Sequence, residues 1–216
     1  MTCYLRLHEV LIGVRTPSQT VDWDAVFRGW RRATTVADRD QLLSSMDLES
    51  IDVYDLPTAD LSRFSGLIVS DRVDQEFLLQ QRNTIHQFLE DGRVVVFSGG
   101  LFQPWLPGGN LFVPYDANSE EGGTPLAITP HPVFAGVRAE DFGPEFAYGY
   151  HPAPEGAAIL VSLPGGKAAV YEDRASSRGT ILVHAGHTLL GYATTKGPAR
   201  QTVPQLIDWI NREAQP

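Results

Sequence analysis

The chain has 216 residues, 43% of them hydrophobic, which is enough to bury one sizeable core and close to the upper range for one domain. Its 26 acidic residues against 17 basic ones leave a net charge of -9, which opposes docking onto a phosphate backbone. The only cysteine, Cys3, excludes an internal disulfide, and no apolar run reaches the roughly 20 residues that a bilayer span needs. No low-complexity linker separates two units, so residues 1–216 are read as a single domain. The N-terminus lacks a cationic stretch leading into an apolar core and cleavage site, so a cytoplasmic location is expected, with neither nucleic acid nor membrane as partner. The basic cluster Arg28, Arg31 and Arg32 reads as a solvated helix face.

In chain order, Leu5 to Val14 predicts a first strand, its apolar run at Val10 to Ile12 suited to a covered sheet. Asp22 or Asp24 can cap a helix in which Trp23, Val26, Phe27 and Trp30 share a face. A second short helix is expected over 38–46, a strand over 51–56, and another over Leu67 to Ser70. Asp71 then falls just past a strand end. The helical stripe Phe77, Leu78, Gln81, Ile85, Phe88 and Leu89 predicts a helix over 75–90, closed by Gly92. Arg93 to Phe97 follows at once, and four apolar residues without alternation predict a central parallel strand. Further strands are expected at 126–129, 158–163, 167–171 and 180–184, the middle two joined by Pro164-Gly165-Gly166. A last amphipathic helix spans 203–211. Strand, helix, strand with tight joins is the βαβ pattern. It predicts an α/β fold: a flavodoxin-like three-layer sandwich with a mostly parallel central sheet and a small antiparallel excursion near 158–171.

The succession IDVYDLPTADLSRFSGLIVSD, FLEDGRVVVFSGG, ITPHPVFAGV and GTILVHAGH resembles the class I glutamine amidotransferase-like superfamily, and within it the ThuA-like, non-amidotransferase branch. The resemblance runs over roughly residues 8–212. It rests on the order and spacing of these segments. Amidotransferase members carry a cysteine in a sharp turn after the strand matching 93–97, a histidine after a late strand, and a carboxylate two residues beyond it. Here the turn reads Phe97-Ser98-Gly99-Gly100, and the residues two beyond His184 and His187 are Gly186 and Leu189. The chain therefore lacks the nucleophile for thiolate attack on glutamine. The ThuA-like resemblance implies a hydrolase or related enzyme on a small polar or sugar-like substrate. Loss of the cysteine points instead to a binding or assembly protein for a small polar ligand or a protein partner.

Several residues are candidates for either role. Ser98, at a strand end before Gly99 and Gly100, has the setting of a nucleophile elbow, although Val96 stands where that motif has glycine. The same Ser-Gly-Gly also reads as a tight turn, or as backbone N–H donors for a non-covalent ligand. His184-Ala185-Gly186-His187 should emerge at the carboxyl end of a strand, where open α/β sheets place ligands. A His-x-x-His pair needs a further ligand to hold zinc, and there is no HExxH, so neither metal nor cofactor is assigned. By topology Asp71 is the best carboxylate partner for His184 or His187, and Glu9 is a further candidate at the same end. His131 reads as turn geometry before Pro132, or as a ligand contact. The segment Gly99 to Gly123 carries Phe102 and Trp105 among its aromatics. It can cover the site, form a homodimer contact, or pack over the sheet edge.

Overall fold

The computed structural model describes residues 10–33, 35–115 and 124–214. Its strands are β1 (Val10–Arg15), β2 (Leu48–Asp52), β3 (Phe64–Val69), β4 (Val94–Ser98), β5 (Val113–Pro114), β6 (Ala127–Ile128), β7 (Gly149–Tyr150), β8 (Ala158–Leu163), β9 (Lys167–Asp173) and β10 (Thr180–His184). The α-helices are α1 (Trp23–Trp30), α2 (Val36–Ser44), α3 (Gln75–Gln80), α4 (Arg82–Glu90) and α5 (Thr202–Glu213). Eight strands form one sheet in the order β2-β1-β3-β4-β10-β9-β8-β6, and β5 pairs with β7 apart from it.

The protein is α/β as expected, but the sheet is mixed rather than mostly parallel. Among the described residues, only β3–β4 and β4–β10 pair in parallel. The strand β1 runs antiparallel to both its neighbours, β2 and β3, contrary to the expectation of parallel strands at the start. Burial on both faces explains why the sequence misleads here: β1 is buried along Leu11 to Val14, and a doubly covered strand is apolar whichever way its neighbours run. The antiparallel excursion does form, with β8, β9 and β10 pairing in succession.

Alternation along the central strands feeds two cores. Ile12, Val14, Ile68, Val94, Val96 and Leu182 pack on one face with Val26, Phe27 and Trp30 of α1 and with Leu206, Trp209 and Ile210 of α5. Leu11, Leu67, Val69, Val95, Phe97, Ile181 and Val183 pack on the other with Leu78, Ile85, Phe88 and Leu89. The helix expected over 75–90 is interrupted at Gln81, whose φ of -95° and ψ of 12° leave the helical region. Neither proline nor glycine marks that break, so periodicity reads through it. In α1 the Asp22 carboxylate accepts from the Ala25 N–H, and in α2 Thr35 and Asp38 form a reciprocal capping box.

Candidate functional site

The parallel trio β3, β4 and β10 brings three carboxyl ends together. Val69 pairs with Phe97, Phe97 with Val183, and Ser98 with His184. Asp71, the Ser98-Gly99 turn, His184 and His187 therefore share one edge of the sheet, the place where ligands of open α/β sheets bind.

One pairing at that edge is made directly. His187 Nδ1 lies 2.9 Å from Asp71 Oδ2. Burial pushes the Asp71 carboxyl upward, but the hydrogen bond and charge of His187, helped by Arg72, outweigh it and hold the group below its usual value of 3.8. An ionised carboxylate only accepts, so Nδ1 carries the hydrogen of this contact. The ring edge of Tyr148 meets the imidazole at 4.6 Å, and Tyr148 N donates to Ala185 O at 3.0 Å. With its side chain 37% exposed, His187 borders a cleft of about 360 Å³ shared with Glu145, Phe146, Thr188 and Tyr192.

The rest of His184-Ala185-Gly186-His187 lies behind that cleft, packed against Phe146 of its wall. His184 is fully buried, its ring against Phe146 at 4.6 Å and its Nε2 2.8 Å from Phe146 O. Burial drives its pKa down to about 4, so the ring is neutral at pH 7 and donates through Nε2 to the carbonyl. At Gly186 a Cβ would collide with Phe146 O and lie 2.8 Å from His184 Nε2, so only glycine lets this wall close on the strand end. Thus one histidine anchors the wall and the other faces the cleft.

Ser98 is placed differently. It is fully buried, and among the described residues its Oγ has no hydrogen-bond partner. A Ser98–histidine hydrogen bond is therefore not formed. Gly99 takes a φ of 128°, and Asp71 Cα sits 2.7 Å from where its Cβ would be, so the turn admits only glycine. The Gly99 N–H already donates to His184 O at 2.8 Å, which removes it as an oxyanion or ligand donor. Gly100 O accepts from Gln75 Nε2 at 2.7 Å, and the Phe102 N–H donates to Gln75 Oε1 at 2.9 Å.

The remaining sequence candidates scatter. Trp105 is a core residue, 0% exposed, with its ring 5.3 Å from Phe97. Phe102 is 65% exposed and rests edge-on against Phe112. His131 Nδ1 accepts from Val133 N at the turn before Pro132, and its Nε2 lies 3.8 Å from Glu172, in a network with Arg174 and Glu213 rather than at the Asp71–His187 cleft. Glu9 lies outside the described residues. Among the described residues, no group of three or more His, Cys, Asp or Glu side chains is arranged to hold a metal ion.

Two contributors escaped the sequence reading. Tyr148 carried no signal beyond its place before Gly149. His151 is 1% exposed and spans the Gly99 turn and the aromatic segment, with Nε2 2.9 Å from Gly99 O and Nδ1 3.2 Å from Asn110 O. Its pKa is lowered, mainly by burial. In the sequence His151 is marked only by the proline that follows it. No family model matches this chain, and neither does any curated protein. No helix among the described residues is long and apolar enough to cross a membrane.

Proposed function

We propose that this chain binds a small polar ligand in the cleft beside Asp71 and His187. In this reading it is a ThuA-like member of the amidotransferase-like superfamily that lacks the cysteine, with a flavodoxin-like three-layer arrangement. The observation that carries the reading is the 2.9 Å contact between His187 Nδ1 and Asp71 Oδ2 at the border of the cleft. A carboxylate on one ring nitrogen sets the tautomer and holds the ring's orientation, so His187 meets a ligand at little cost in side-chain entropy. Glu145 and Thr188 add polar character to a cleft whose walls, Phe146 and Tyr192, are aromatic. That mixture suits a small polar molecule with one apolar face.

The same contact favours a second reading, hydrolysis, because an aspartate-oriented imidazole is a general base for water. Here His187 takes the proton from an attacking water, and the buried Ser98 serves as frame rather than nucleophile. The two readings separate in one experiment. The wild type, His187→Gln and Asp71→Asn are screened by ligand-observed NMR against a panel of small polar molecules, and every binder is followed for turnover. Binding without turnover, lost in His187→Gln, supports the binding protein. Turnover that falls about 10²–10⁴-fold in Asp71→Asn supports the hydrolase. Binders that ignore both substitutions would sink the site.

A further inference from the structure

The opposite, amino end of the parallel strands carries a second cleft, of about 690 Å³. Arg93 immediately precedes β4, and Arg178 lies two residues before β10. Their backbones are locked together: Thr180 N donates to Arg93 O at 3.2 Å, and Gly179 is pressed so closely on that carbonyl that no Cβ fits between them. Both arginines line the cleft. Arg93 Nη2 donates to Ser62 O at 3.3 Å, and among the described residues neither guanidinium lies within ion-pair distance of a carboxylate. The one carboxylate in the lining, Asp91, accepts from Gln87 Nε2 at 2.9 Å. Asn83 and Thr84 add amide and hydroxyl donors, while Leu61 and Phe88 supply apolar surface.

We infer that this cleft is a binding site for a small phosphomonoester carried on an apolar body. A guanidinium presents planar, paired donors that match two oxygens of a phosphate, and two guanidiniums match its double charge. The apolar surface beside them takes the body of the ligand, which a bare anion would leave uncovered. The site lies at the other end of the strands from the Asp71–His187 cleft, so it does not depend on that cleft's function.

Phenyl phosphate is the probe, titrated into the ¹⁵N-labelled full chain with amide shifts followed by NMR. Saturable shifts are expected around Asn83 to Gln87, Arg93 and Arg178, with inorganic phosphate binding more weakly because it leaves the apolar surface empty. Arg178→Gln removes one charged fork at an exposed position that the fold does not need. It should weaken binding about tenfold or more, whereas His187→Gln should leave it unchanged. Added salt should weaken it as well. No saturable shift at these residues, or an affinity indifferent to Arg178→Gln, would overturn the assignment. So would equal binding of inorganic phosphate.

Discussion

Acid should unfold this protein through His184 before it reaches most of the carboxylates. In the folded state the ring is fully buried, neutral and bonded to Phe146 O, with burial lowering its pKa from 6.5 to about 4. The unfolded chain, with the higher value, binds the proton first. Stability is therefore kept above about pH 6.5 and lost as the pH falls toward 4, where the native ring at last protonates. At 1.36 kcal/mol per pH unit, that gap corresponds to about 3 kcal/mol, a large part of an ordinary domain's stability. His151 shifts the same way and adds to the loss. Asp71 and Glu172 are held below their usual 3.8 and 4.5, so their contributions are lost only at and below those values. The assay is urea unfolding across this range for the wild type and for His184→Gln, whose amide keeps a donor toward Phe146 O but cannot titrate. The wild type should lose about 3 kcal/mol more than the variant. Equal losses in the two proteins, or a His184 ring that titrates near 6.5 by NMR, would refute the reasoning.

Gly186→Ala should cost about 1–3 kcal/mol in urea unfolding and displace the His184 ring from Phe146 O, because its Cβ would sit inside that carbonyl; wild-type stability would mean the wall yields freely. Ser98→Ala should change stability by no more than about 1 kcal/mol, and in the stabilising direction, since it removes a buried hydroxyl that has no partner. A loss above about 2 kcal/mol would instead place a buried water on that oxygen. Arg174 Nη2 and Nη1 lie 2.7 Å from Glu172 and Glu213 respectively, and the Arg174 side chain is half exposed. Arg174→Met should therefore cost only about 1–2 kcal/mol, mostly by stripping the buried Glu172 of its partner. In a double-mutant cycle, Glu172→Gln should recover much of that loss; additive costs would show that the pair is not coupled.

The sequence marked Asp71, His184 and His187 because each follows an apolar run that ends in a polar residue, and the parallel pairing of β3, β4 and β10 gathers those run ends at one edge. It could not say which histidine faces the cleft. Both stand in one four-residue turn, and the choice depends on Phe146, which arrives from 38 residues away to cap His184 Nε2. Trp105 and His131 look like site residues by type, but packing draws Trp105 onto Phe97, and His131 toward Glu172 and Trp209.

By itself the amino-acid order determined the α/β class and most of the strand and helix segments, though the strand expected over 51–56 falls at Leu48–Asp52 and gives way to a 3-10 turn. Those properties are local: apolar periodicity, capping side chains and residue identity are written along the chain. Strand direction at β1, the ring that meets Asp71, the burial of Ser98 and the company of Arg93 and Arg178 were decided only by the tertiary structure. Each depends on which distant backbone lies alongside, and a doubly buried apolar strand carries the same pattern whichever neighbour it finds.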